Sequence, residues 1–286
     1  MTTEMMLKQD FLTKQLRAEK NAKDNFIKDL ILGQFGSDLD LFIERGRNFN
    51  IDLLLARQAV VIDVIKKPEN ASNLSDELQE QIHKDELLKI LENYFNDKEN
   101  LIIYMGKGRF VVLKRVNYDD PNNKAIINRS LREISNKIQK RNIQVLIGIG
   151  NLQIHWLNLK SSYQEACDAV ILGAKVNKEG NIFHIQDLIV ERSLNSMDDF
   201  MKRNIFNSFI GPAESNDGKQ WSEMERTLIT LFDSNLNVSE AAKRLYLHRN
   251  SLAYRLQKVT ECTGLDPLLF YDAVKIYIGL TLNKLK

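Results

Sequence analysis

A cluster of basic and hydrogen-bonding side chains near the carboxyl end of the sequence could bind a polyanion. Five Lys or Arg residues occur from Lys243 to Lys258, and this stretch contains no Asp or Glu. A solvated helix surface normally carries both signs of charge, so a run of one sign beside polar side chains indicates a negatively charged partner. Arg and Asn can also form paired hydrogen bonds with guanine and adenine, respectively. The cluster therefore predicts contacts with double-stranded DNA.

The segment 237–259 is predicted to position these side chains on two short helices joined by a tight turn. Asn237 can cap the first helix, and Glu240 can complete a capping box by reaching back to it. The second helix is expected to begin near His248 or Arg249. At 3.6 residues per turn, its apolar residues fall on one side. They are Leu252, Leu256 and Val259.

The other side of the second helix and its leading end carry the predicted DNA-binding residues. They are His248, Arg249, Asn250, Ser251, Tyr254, Arg255 and Lys258. Arg249 and Asn250 lie at the leading end, so we expect them to reach the floor of the major groove. Arg255 and Lys258 lie further along and to the side, where phosphates are the expected contacts. An ordinary helical hairpin with a basic solvent face would show the same local pattern, so the pattern alone leaves both interpretations open.

The run from Ala241 to Asp266 resembles the C-terminal helix-turn-helix of the PucR/CdaR-type bacterial transcription regulators of purine catabolism and sugar-diacid utilisation. The similarity centres on Leu247–Leu252, Tyr254–Leu256 and Thr263–Asp266. Ser251 stands where the family more often has threonine, which keeps the hydroxyl. The resemblance implies a DNA-binding regulator of a catabolic operon, related to carbohydrate acids or purines. The rival class is a non-catalytic nucleotide-binding or signalling module whose helical end mediates protein contacts.

The middle of the sequence predicts a βαββαβ series. The elements are a strand within 53–65, a helix over 72–96, strands over 101–105 and 110–116, a helix over 121–141 and a strand over 143–149. Gly106-Lys107-Gly108 separates the two central strands, and glycine supplies the positive φ of a hairpin turn. This order predicts the split ferredoxin-like fold, an antiparallel sheet with helices on one face. The fold class is therefore α+β, with an all-helical domain following.

A further helix over 158–175 and a short strand over 181–184 are expected after this series. The layout is similar to the degenerate GGDEF-like domain that lies upstream of the helix-turn-helix in the same family. The similar segments are Ile147–Gly150 and Tyr163–Ala166, with Ala169 and Gly173. The resemblance therefore covers most of the chain from about Asp24 onward.

Catalysis is not expected from this middle domain. In active diguanylate cyclases, which it resembles in fold, the hairpin carries acidic residues that hold a metal ion. Here Gly108 and Arg109 stand at those positions, and an arginine repels divalent cations, which need oxygen ligands. The four histidines (83, 155, 184 and 248) do not cluster. We therefore predict no catalytic residue, no metal site and no cofactor.

Composition favours a soluble cytoplasmic protein. The net charge is only +2 over 286 residues, so nucleic-acid affinity must come from a local patch. Neither a signal-peptide pattern nor an apolar run of membrane-spanning length is present, so no membrane partner is expected. Cys167 and Cys262 lie far apart without CxxC spacing and are predicted to be buried free thiols in a reducing compartment.

The first 36 residues predict a long polar helix over 4–32 with a thin apolar seam. The seam residues are Leu7, Phe11, Ala18, Ala22 and Phe26. This helix pairs with another helix, such as one from a second subunit, or it lies across its own domain; the sequence leaves both open. A homodimer is expected, because palindromic half-sites need two recognition helices.

Four regions follow from these assignments. They are an amino-terminal helix over 1–36 that could serve dimerisation, a GGDEF-like domain over 37–195, a connecting helix and linker over 196–220, and a helix-turn-helix domain over 221–286. The linker 211–219 is rich in Gly, Pro, Ser, Asn and Asp. A closing helix over 267–282 is expected to cover the helical core with Leu268, Leu269, Tyr271, Val274, Ile278 and Leu282. A small-molecule effector, of unknown identity, would act through the middle domain, through a partner, or through a longer chain of which this is a part.

Overall fold

A computed structural model describes residues 3–65, 74–177, 179–211 and 218–285. Their internal contacts divide the chain into two compact units, one ending at Leu188 and the other beginning at Ile189. Most of the predicted linker 211–219 lies outside the described residues, as do positions 72 and 73 of the predicted third helix. No helix within the described ranges is both long and apolar enough to cross a membrane.

Among its described residues, the first unit contains a five-stranded sheet and five α-helices. The strands are β1 (Arg57–Ile65), β2 (Leu101–Gly106), β3 (Arg109–Arg115), β4 (Gln144–Gln153) and β5 (Ile182–His184). The helices are α1 (Thr3–Leu32), α2 (Leu39–Asn48), α3 (Leu74–Tyr94), α4 (Asn123–Gln139) and α5 (Leu159–Val176). The strand order is β2-β3-β1-β4-β5, with β1 antiparallel to both of its neighbours and β5 parallel to β4. The predicted βαββαβ order is confirmed.

Strand β1 explains why helices cover both faces of the sheet. Ala59 and Val61 point to one face, Val60 and Ile62 point to the other, and all four are fully buried. Helices α3 and α4 pack on the face of Val60, whereas α2, α5 and the end of α1 pack on the opposite face. The two helices of the βαββαβ unit, α3 and α4, therefore lie on one face as predicted, and helices from outside that unit cover the other face. A continuous apolar run is the pattern of a strand that is buried on both sides.

Gly148 and Gly150 allow α5 to lie directly against β4. A Cβ atom at Gly148 would come within 1.9 Å of the Ala166 carbonyl oxygen, and one at Gly150 within 2.0 Å of the Ser162 carbonyl oxygen. No side chain fits at either approach, so the two backbones meet without intervening atoms. The GGDEF-like resemblance rests partly on these glycines and on Ala166, which set the spacing between helix and sheet.

Helix α1 confirms the predicted amino-terminal helix, but only its end joins the core. Phe26, Ile27, Leu30 and Ile31 are buried against the sheet. Earlier in the helix, the seam residues Leu7 and Phe11 are each 68% exposed, and Ala18 and Ala22 are exposed too. The helix therefore lies on its own domain over its last two turns only, and the apolar residues before them remain uncovered.

The second unit is wholly helical among its described residues. Its helices are α6 (Ile189–Asn195), α7 (Asp199–Phe209), α8 (Gly218–Asp233), α9 (Val238–Arg244), α10 (Arg249–Thr263) and α11 (Phe270–Leu285). One buried cluster joins α7, α8, α10 and α11, and another joins α8, α9 and α10. The predicted cover by the closing helix is partly wrong, since Leu268, Leu269, Tyr271 and Val274 are exposed. Ala273, Ile276 and Leu280 are on the buried side instead.

Candidate nucleic-acid interface

The first helix of the two-helix motif begins at the predicted residue. The Asn237 side chain accepts a hydrogen bond from the Glu240 backbone N–H at 3.1 Å and so caps α9. The reciprocal half of the predicted capping box is wrong, because the Asn237 N–H donates to the Ser234 carbonyl at 3.0 Å. The Glu240 carboxylate instead pairs with Arg244, one turn later. The Asn237 N–H is already occupied by the Ser234 carbonyl, so the Glu240 carboxylate is left to form the i,i+4 pair.

A tight turn between α9 and α10 fixes their crossing. The Leu247 N–H donates to the Ala242 carbonyl at 2.9 Å, and the Tyr246 N–H donates to the Lys243 carbonyl at 3.2 Å. These two bonds form a Schellman motif, in which the residue at the position of Tyr246 must be left-handed. Tyr246 has φ of +55° and is 94% exposed. Ala241 and Ala242 are buried, and their small side chains allow the second helix to cross closely.

Helix α10 has the two-sided character that its sequence predicts. Leu252, Leu256 and Val259 are all buried, which confirms the predicted apolar side. The helix begins after His248, whose Nδ1 accepts from the Asn250 N–H at 3.2 Å. The helix ends at Gly264, which has φ of +72° and bonds to the Thr260 carbonyl.

The predicted DNA-binding residues divide into exposed and half-buried groups. His248, Arg249, Asn250, Ser251 and Tyr254 are exposed, whereas Arg255 and Lys258 are half-buried. Within the described ranges, Arg249 forms no ion pair, so its guanidinium is available to a ligand. His248 has a second role that the sequence did not suggest, because its ring caps the helix that carries the other residues.

A groove of about 540 Å³ runs along the polar side of α10. It is lined by Glu223, Met224, Asn250, Ser251, Tyr254, Arg255 and Lys258. Five of the seven predicted DNA-binding residues therefore share one concave surface. The remaining two, His248 and Arg249, lie at the leading end of the helix. Glu223 and Met224 belong to α8, and sequence reasoning missed them because they precede the acid-free run.

Two of the basic groups in the groove already have acidic partners. Arg255 Nη2 lies 3.3 Å from Glu223 Oε2, and Arg255 Nη1 lies 3.5 Å from Thr227 Oγ1. Lys258 Nζ lies 2.7 Å from Glu261 Oε2. The hydrogen bond with Glu261 raises the pKa of Lys258, which remains a cation at neutral pH.

The hairpin of the first unit holds an internal ion pair. Arg109 donates to Asp63 on the neighbouring strand through two bonds of 2.7 and 2.6 Å. This bidentate contact raises the pKa of Arg109. Cys167 lies 3.5 Å from the same guanidinium, and burial raises the pKa of its thiol. Both Cys167 and Cys262 are free and half-buried.

The crossed helices, the capped second helix and its exposed basic side define a helix-turn-helix protein of the DNA-binding class. Residues 224–282 match the model of the PucR C-terminal helix-turn-helix domain, and residues 33–170 match that of the GGDEF-like domain. The chain therefore combines a GGDEF-like domain with a PucR-type helix-turn-helix and is similar to the PucR/CdaR-type transcriptional regulators.

The curated relatives to which the chain is similar include three regulators. It is 24% identical to the carbohydrate diacid regulator of Escherichia coli (strain K12), over 99% of this chain and 71% of that protein. It is 27% identical to the proline-responsive transcriptional activator PutR of Bacillus subtilis (strain 168), over 96% and 66%. It is 29% identical to the purine catabolism regulatory protein of B. subtilis (strain 168), over 42% and 22%. The chain thus spans about two thirds of the length of the first two.

Proposed function

We propose that the chain regulates a catabolic operon, for carbohydrate acids, purines or a related nutrient, by placing α10 in the major groove of operator DNA. One observation carries this proposal: the exposed side of α10 carries Arg249, which has no ion-pair partner among the described residues, next to Asn250 and a groove of polar side chains. Phosphate contacts give affinity, and base contacts give sequence preference. The arrangement offers both kinds of group on one helix.

The roles of the seven residues follow from their places on α10. Arg249 and Asn250 contact base edges, because they project from the first turn of the helix. Ser251 and Tyr254 contact a phosphate or a base edge beside them. His248 fixes the start of the helix through its Nδ1 and offers its other ring nitrogen to DNA. Lys258 contacts the DNA backbone from inside the groove, and Arg255 reaches the DNA backbone when its ion pair with Glu223 opens.

Selection of bound sequences from a pool of random duplex DNA tests this proposal. We expect an enriched motif with two-fold symmetry, because two helices would contact two half-sites. The control is the Arg249→Ala, Asn250→Ala double variant, which keeps the buried side of α10 and should enrich no motif or a more degenerate one. Binding without enrichment would favour the rival function, a signalling module whose helical unit only mediates contacts.

The first unit is proposed to have no catalytic role. The Asp63 carboxylate, which could otherwise take part in metal binding, is occupied by both arms of the Arg109 guanidinium. Within the described ranges, no group of three or more His, Cys, Asp or Glu side chains is placed to hold a metal ion. A small-molecule effector remains a proposal without an assigned site.

Assembly as a homodimer in the cytoplasm completes the proposal. The exposed residues Leu7 and Phe11 on α1 support self-association, since a helix gains most of its stability from packing. The cytoplasm is the expected location because that is where bacterial operator DNA lies. No membrane partner is proposed.

A further inference from the structure

An ion pair between Glu223 and Arg255, which the proposed function does not explain, lies inside the proposed DNA-binding groove. Glu223 is the one acidic residue among the groove's lining residues, and its side chain is 69% exposed. It lies on α8, outside the two-helix motif, and pairs with Arg255 on α10 at 3.3 Å. An exposed carboxylate on a surface that approaches phosphates opposes binding, so its presence there needs a reason.

Thr227 helps to hold the Arg255 guanidinium in this position. Its hydroxyl oxygen lies 3.5 Å from Arg255 Nη1, and the hydroxyl itself donates to the Glu223 backbone carbonyl at 2.8 Å. Thr227 is fully buried, and the Arg255 side chain is only 30% exposed. Arg255 is therefore drawn back against α8 by two groups one turn apart, while Arg249 on the same helix stays free of ion pairs within the described ranges.

We propose that Glu223 is a positioning residue that restrains Arg255 and lowers the affinity of the groove for DNA of any sequence. A restrained arginine does not bind phosphates indiscriminately. A free one adds a sequence-independent contact and releases about one more counterion. With Arg255 restrained in this way, base contacts by residues such as Arg249 contribute a larger share of the free energy of DNA binding. This inference rests on the proposed DNA-binding function and names a residue that regulates it.

The test compares the 286-residue chain with its Glu223→Gln variant on duplex DNA of random sequence, titrated at several salt concentrations. We expect the variant to bind about three- to tenfold more tightly near 0.1 M salt, with a salt slope steeper by about one unit. Glu225→Gln is the matched control. It removes the same charge from α8, but at i+2 it lies on the other side of the helix and outside the groove, so the slope should not change.

A double-variant cycle separates restraint of Arg255 from simple repulsion of DNA. If Glu223 acts through Arg255, then Glu223→Gln should leave the salt slope of an Arg255→Ala protein unchanged. An equal effect of Glu223→Gln with and without Arg255 would overturn the inference, as would an unchanged slope in the single variant. Failure of the wild-type protein to bind any duplex would instead refute the proposed function, and the inference would fall with it. Thermal unfolding of each variant verifies that the substitutions leave the fold intact.

Discussion

Arg249 is the residue at which sequence preference should be most sensitive to substitution. It is exposed at the first turn of α10 and, within the described ranges, has no ion-pair partner. We expect Arg249→Ala to weaken binding to the selected operator by about 1–3 kcal/mol and to reduce the ratio of specific to non-specific affinity, because a bidentate contact with guanine is lost. The measurement is a titration of operator and scrambled duplexes with each protein.

Lys258→Ala provides the comparison, since this lysine is expected to contact phosphate. It should weaken both duplexes alike and lower the salt slope by at most about one unit. Lys258 already pairs with Glu261 in the free protein, so we expect the salt slope to fall by less than about one unit. If Arg249→Ala behaves like Lys258→Ala and leaves the ratio unchanged, α10 is docked in another way and the assignment of Arg249 is wrong.

Substitution of Tyr246 tests how much its left-handed backbone conformation destabilises the turn between α9 and α10. A residue other than glycine in the left-handed region costs about 1–2 kcal/mol, and Tyr246 has φ of +55° without burial to compensate. We expect Tyr246→Gly to raise the free energy of unfolding by about 0.5–1 kcal/mol, after the loss of backbone entropy that glycine brings. Urea unfolding of the two proteins measures the difference.

Tyr246→Val is the matched control for the turn, because a β-branched side chain tolerates this φ least. It should lower the free energy of unfolding. Stabilisation by valine, or destabilisation by glycine, would show that the tyrosine side chain rather than the backbone conformation determines the stability of the turn.

The hairpin between β2 and β3 is predicted to support no cyclase activity. Incubation of the protein with GTP and Mg²⁺ or Mn²⁺ should give no cyclic dinucleotide, because the Arg109 guanidinium holds the Asp63 carboxylate in place of a metal ion. Chromatography of the reaction, beside an active diguanylate cyclase and a reaction without protein, measures the product. Product above the protein-free level would contradict the assignment.

Local patterns were sufficient to predict α10 and its buried side. Leu252, Leu256 and Val259 recur at helical spacing, and all three are buried. The Gly106–Gly108 hairpin was equally local, since glycine at φ of +94° and +76° needs no distant contact. Elements whose properties depend only on nearby residues are the ones that a sequence pattern determines.

Contacts between distant elements could not be predicted in this way. Glu223 lines the groove because α8 crosses α10, and no spacing within either helix encodes that crossing. The helices that cover the second face of the sheet could not be assigned from sequence, because an apolar run such as Ala59–Ile62 shows that both faces are buried but not which helices bury them. Glu240 had two partners within reach, the Asn237 N–H and Arg244, and only the structure decides between them.

The whole molecule carries an exposed apolar stripe that self-association would bury. Leu7 and Phe11 lie on one side of α1, before the turns that join the core at Phe26. A helix in a protein gains most of its stability from tertiary packing, and the part of α1 before Phe26 lacks such packing within its own unit. Pairing of two such helices would stabilise each of them and supply the second recognition helix that a palindromic site requires.

Removal of residues 1–24 is therefore expected to convert a dimer into a monomer, or to raise the dimer dissociation constant strongly. Light scattering on the full chain and on the shortened chain, at tens of micromolar protein with and without DNA, measures this. Phe11→Lys should act in the same direction, because it places a charge in the apolar stripe. Thr13→Lys adds the same charge on the opposite side of α1 and should leave the dimer intact. A strict monomer for the full chain would refute the dimer, and a dimer that survives both the deletion and Phe11→Lys would move the interface to the sheet-containing unit.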